Sequence, residues 1–134
     1  MTIALPIEVK KREYTSKVYL ASKILSKTNY NVVLGEKSKV YSFFKHNNNV
    51  FLLSKGGSIK GFKFFKKKRN QNYLGILDEE GPIHNLTEYS KTARLHKDIL
   101  KNTDEYFIWG KQDFNENKKF FLKFKKKIIL SGHP

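Results

Sequence analysis

Two short charged runs carry the chemistry that this sequence can do. Asp78-Glu79-Glu80-Gly81 sets three carboxylates side by side. Neighbouring acids repel one another, and crowding raises the pKa of at least one, as a general base for a hydroxyl group requires. The alternative is that one acid caps a helix while the others face water. Successive strand side chains point to opposite faces, so Glu79 and Glu80 would not both meet one ligand. The second run holds Glu8, Lys10, Arg12 and Glu13. The Arg12 guanidinium suits a phosphate or carboxylate held by two parallel hydrogen bonds. It suits equally an ion pair with Glu8, Glu13 or the acids of the first run.

Weaker signals surround these two. Gly56-Gly57-Ser58 opens a predicted helix, and Gly57 could turn backbone N–H groups toward an anion. His84, just past the acidic run, reads either as a ligand or base, or as a surface turn residue. Trp109 reads as a packed strand end or as an aromatic platform. Gly35-Glu36-Lys37-Ser38 echoes the tail of a phosphate-binding loop, but Tyr30 stands where that loop needs its first glycine. No G-x-G-x-x-G follows the first apolar run, which argues against a dinucleotide site. The four histidines, His46, His84, His96 and His133, lack metal-site spacing, and the chain has no cysteine. No metal is expected.

The elements that must position these residues follow from the apolar pattern. Short apolar runs predict strands at Thr2–Glu8, Asn31–Leu34, Val50–Leu53, Tyr73–Leu77, Glu105–Trp109 and Ile128–Leu130. Between them, helices are predicted over Tyr14–Lys27, Ser38–Lys45, Ser58–Arg69, Leu86–Lys101 and Gln112–Phe124. In the first helix, Val18, Ala21 and Leu25 share a face. Asn47–Asn49 and Asn70–Asn72 read as turns. Six strands with five crossovers predict an α/β domain, a doubly wound, Rossmann-like and mostly parallel sheet with helices on both faces. The whole chain, 1–134, reads as one such domain. Ligands of these sheets sit beyond the carboxyl ends of the strands. The amino ends are bland (Thr2, Asn31, Asn49, Asn72, Asp104, Lys127), whereas glycine and charge gather at the carboxyl ends.

The chain has 27 basic and 12 acidic residues, a net charge of +15, which favours polyanions as partners. The excess piles up at Lys63–Arg69 and Lys118–Lys127. The N-terminus lacks a basic region followed by a long apolar one, and no run approaches the ~18–20 apolar residues of a spanning helix. A cytoplasmic chain is expected.

Leu5-Pro6-Ile7-Glu8-Val9-Lys10-Lys11-Arg12-Glu13 resembles the opening of bacterial surface carbohydrate biosynthesis proteins, which begin with an IPIE-x-K-x-R-E run. Val33-Leu34-Gly35-Glu36-Lys37, Leu77-Asp78-Glu79-Glu80-Gly81, Trp109-Gly110 and Ser131-Gly132-His133-Pro134 follow in the group's order. The last departs from the usual TGNPR-x-D, with His133 in place of the asparagine. The resemblance implies the N-terminal half of a GT-B glycosyltransferase of polysaccharide or capsule assembly. The donor, a nucleotide sugar, would be bound as co-substrate by a C-terminal domain outside this chain, without a cofactor. The chain would hold a glycan or lipid-linked acceptor and would not catalyse transfer alone. One of Asp78, Glu79 and Glu80 would deprotonate the acceptor. Glu8, Lys10, Arg12, Glu13 and Gly81 would bind it, with Arg12 holding an anionic group or orienting the base, and Gly57 and His84 join them as binding candidates on their local signals alone. The basic faces would rest peripherally on the anionic inner face of the plasma membrane. A basic nucleic-acid- or polyanion-binding α/β module without catalysis is the competing expectation. Phe64 and Phe120 lie at helical spacings suited to burial, so nucleic acid is not the expected partner. A non-catalytic regulatory domain of the same fold is a third.

Overall fold

The computed structural model of the chain describes residues 1–55, 71–77 and 97–132. Six parallel strands form one sheet: β1 (Thr2–Ile7), β2 (Asn31–Glu36), β3 (Val50–Ser54), β4 (Tyr73–Leu77), β5 (Glu105–Ile108) and β6 (Ile128–Leu130), in the order β2-β1-β3-β4-β5-β6. The described helices are α1 (Lys10–Lys27), α2 (Lys37–His46), α3 (Lys97–Asn102) and α4 (Lys111–Phe120), and a 3-10 helix covers Leu122–Lys127. The α/β, parallel, Rossmann-like class expected from the strand–helix alternation is the class observed. The predicted helix over Ser58–Arg69 and the 86–96 part of the predicted Leu86–Lys101 helix lie outside the described residues, and α3 is the observed end of the latter. None of the described helices is long and apolar enough to cross a membrane.

The chain divides into two compact units: the first holds β1, β2, β3 and the start of β4, and the second holds the chain from Gly75 onward together with 55–67. In the first unit β1 is central. It pairs with β2 along its whole length, Thr2 with Asn31 through Ile7 with Glu36. On its other side it pairs with β3 only from Thr2 to Ala4. Ala4, Leu5, Val50 and Leu52 are fully buried there, as expected of a strand covered on both faces. The step from β1 to β2 and the step from β2 to β3 run in opposite directions, so right-handed crossovers put α1 and α2 on opposite faces. Val40 and Phe44 are the buried residues of α2. The Asn47–Asn49 turn has the backbone its residues tolerate, with Asn49 at φ 57°.

The buried face of α1 is not the predicted one. Ala21 is buried, but Val18 is exposed and Leu25 is 57% exposed. The buried row is Glu13, Lys17 and Ala21, at i, i+4 and i+8. A hydrogen bond from the Glu8 N–H to the Glu13 carboxylate fixes the rotation of this helix, so apolar count alone does not set it.

In the second unit, β5 pairs with β4 and β6, and Ile99, Leu100, Tyr106, Ile108, Phe121 and Ile128 are buried. The predicted helix over Gln112–Phe124 is broken at Phe121, whose φ of −112° and ψ of 50° leave the helical region. The 3-10 turns that follow carry Lys127 to the end of α3, where its Nζ donates to the carbonyls of Leu100 (2.8 Å) and Thr103. A cation there satisfies carbonyls that a helix end leaves open. Lys127→Ala is expected to lower stability by about 1–2 kcal/mol, read as a lower urea midpoint.

Candidate functional site

The sheet order places a topological switch point in the first unit. The chain passes from β1 to β2 on one side and then returns to β3 on the other. In parallel sheets ligands bind outside the carboxyl ends of the strands at such a reversal, here between β1 and β3. Pro6 contributes directly: it has no N–H for a ladder, and the pairing with β3 has already stopped at Ala4. Beyond that point β1 is held by β2 alone.

The first helix starts at Lys10, four residues before the predicted Tyr14, and takes in most of the charged run that leaves β1. Lys10, Arg12 and Glu13 are the first turn of α1. Val9 at the N-cap has no side chain able to cap, and the Arg12 and Glu13 N–H groups donate to its carbonyl at 3.1 and 3.0 Å. Glu13 instead ties the first turn back to the strand exit: its Oε2 accepts from the Glu8 N–H at 2.8 Å, and its Oε1 lies 3.5 Å from Arg12 Nη2. A carboxylate in the first helical turn also complements the helix dipole. Glu13 is buried, and Lys17, one turn on along the same row, is 2% exposed. Glu13 and Lys17 thus lie at the i, i+4 spacing on the buried row of the helix.

A second line of polar contacts joins β1 to β3. Lys37, the first residue of α2, places Nζ 3.0 Å from Glu8 Oε1 and 5.8 Å from the centre of the Tyr41 ring. The Tyr41 hydroxyl is 3.0 Å from the Oγ of buried Ser54, the last residue of β3. Lys10 sits 5.8 Å above the Tyr14 ring, and the Arg12 side chain is 61% exposed. The rim thus offers a carboxylate able to accept from hydroxyl groups beside ammonium and guanidinium groups able to neutralise a phosphate.

Of the residues singled out from sequence, the structure gathers Glu8, Lys10, Arg12 and Glu13 at one strand exit. Arg12 adopts the ion pair with Glu13, one of its two expected roles. Gly57, Asp78, Glu79, Glu80, Gly81 and His84 lie outside the described residues, and in the sheet β3 stands between β1 and β4. Lys37, Tyr41 and Ser54 were not singled out. The glycine-bounded Gly35-Glu36-Lys37-Ser38 run was the signal for Lys37. Among the described residues no three histidine or acidic side chains gather as metal ligands. No protein-family model, curated protein or solved structure matches the chain.

Proposed function

We propose that this chain is the acceptor-binding domain of a GT-B-type sugar transfer system of surface polysaccharide assembly. In this reading the rim of β1, β2 and β3 holds a phosphorylated sugar or lipid-linked glycan. The observation that carries it is the Glu8–Lys37 pair at the carboxyl ends of β1 and β2, flanked by Lys10 and Arg12. Glu8 accepts from sugar hydroxyls, and Lys10 and Arg12 hold the phosphate. Glu13 fixes the turn that presents them. One of Asp78, Glu79 and Glu80 serves as the base, and a second nucleotide-sugar-binding domain supplies the donor.

The test is titration calorimetry with N-acetylglucosamine 1-phosphate. Glu8 and Lys37 are both more than a third exposed, so their pair contributes at most about 1 kcal/mol to stability. Glu8→Gln and Lys37→Ala therefore stay folded. Each is expected to weaken binding about tenfold through a lost charged hydrogen bond. Affinity unchanged in both variants would remove the rim from the reading.

A further inference from the structure

The second unit ends in a surface that takes no part in the proposed acceptor rim. No acidic residue follows Glu116, while six lysines do: Lys118, Lys119, Lys123, Lys125, Lys126 and Lys127. Two are engaged with the protein itself. Lys118 Nζ lies 4.0 Å above the Phe114 ring, and Lys127 is tied to the Leu100 and Thr103 carbonyls. Lys119, Lys123, Lys125 and Lys126 are exposed. Among them stands Leu122, 67% exposed, the most exposed large apolar side chain described. Its neighbour Phe121 is buried and anchors the 3-10 helix, so the leucine is held outward on a fixed turn.

An aliphatic side chain ringed by cations matches a surface that is anionic outside and hydrocarbon just beneath. We infer that the 3-10 helix Leu122–Lys127, with Lys119, docks on an anionic lipid bilayer, Leu122 entering the interface while the lysines meet the headgroups. The chemistry favours lipid over nucleic acid. Single strands are gripped by exposed aromatic faces, yet Phe121 is buried and Phe124 half-buried. Phosphate and base edges are commonly read by the arginine fork, and this segment has lysine alone. The inference narrows the membrane contact expected of the basic faces to one segment and one inserted side chain, and it stands on the second unit, independent of the acceptor rim.

The experiment is co-sedimentation of the full chain with phosphatidylcholine vesicles, with and without phosphatidylserine, at low and high salt. Binding is expected only with phosphatidylserine, and it weakens as salt screens the charges. The triple variant Lys123→Gln, Lys125→Gln, Lys126→Gln is expected to lose about a hundredfold in partitioning, from about fivefold for each lysine. Leu122→Ser is expected to lose about tenfold, with its loss retained at high salt. The charge-matched control Lys23→Gln, Lys27→Gln, Lys39→Gln, on exposed positions of α1 and α2, keeps binding close to that of the unaltered chain. Excess N-acetylglucosamine 1-phosphate does not displace the vesicles, which separates this surface from the rim of β1 and β2. Equal losses in the control, displacement by the sugar phosphate, or retention on an RNA oligonucleotide but not on vesicles would each overturn the inference.

Discussion

Asn72→Ala is expected to destabilise the first unit by about 3 kcal/mol or more. The Asn72 amide is buried and makes three hydrogen bonds to backbone groups far away in the chain. Its Oδ1 accepts from the Val50 N–H at 2.8 Å, and its Nδ2 donates to the carbonyls of Phe44 at 2.9 Å and Asn47 at 2.7 Å. One side chain thereby joins the end of α2, the following turn and the start of β3. Alanine leaves a buried donor and two acceptors without it, and an unsatisfied buried group costs about 1–3 kcal/mol. Asn72→Asp separates the two halves of the amide: it keeps an acceptor for Val50 but turns an oxygen toward two carbonyls. It is expected to be no better than alanine. Urea unfolding followed by circular dichroism measures both. A midpoint within error of the parent for Asn72→Ala would show that the bridge contributes nothing.

Glu13→Ala has the second large effect, and it reaches function as well as stability. The carboxylate holds the Glu8 N–H, faces Arg12 and shares a buried row with Lys17. Alanine leaves the Glu8 N–H without its charged acceptor and removes the carboxylate beside Arg12, at an expected cost of about 1–3 kcal/mol. Glu13→Gln keeps an oxygen acceptor for Glu8 but not the charge, and its loss is expected to fall between parent and alanine. The turn after β1 also loses its clamp, so Glu8 no longer holds its place 3.0 Å from Lys37. Binding of the sugar phosphate is therefore expected to weaken in Glu13→Gln even at temperatures where circular dichroism reports a folded chain. Full binding by folded Glu13→Gln would reduce Glu13 to a structural residue.

The strands were legible because each is a run of apolar residues bounded by asparagine, glycine or charge, and the sheet class follows from their alternation with helices. What local pattern did not show is how helix rotation and chain breaks are set at a distance. Val18 and Leu25 have the spacing of a buried face, yet a polar bond between Glu8 and Glu13 turns α1 to bury Glu13 and Lys17 instead. The first helix reads from Tyr14 because its apolar spacing starts there, whereas it begins at Lys10, and Glu13 ties that first turn to Glu8. Asn72 read as an ordinary turn residue, since its partners stand 22 to 28 positions earlier. The break at Phe121 was hidden by lysine, a good helix former, while the bonds that require it belong to Lys127 and the end of α3. At the candidate site, sequence order delivered the β1 exit. Contact between Glu8 and Lys37 needed β1 and β2 to lie side by side.

The most direct measurement is a nitrogen–proton correlation spectrum of the full chain titrated with N-acetylglucosamine 1-phosphate. Shifts are expected to concentrate at the backbone amides of residues 8–13 and 36–38, to saturate together, and to need about tenfold more ligand in Lys37→Ala. Shifts confined to other parts of the chain, or a spectrum unmoved at saturating ligand, would contradict the acceptor reading.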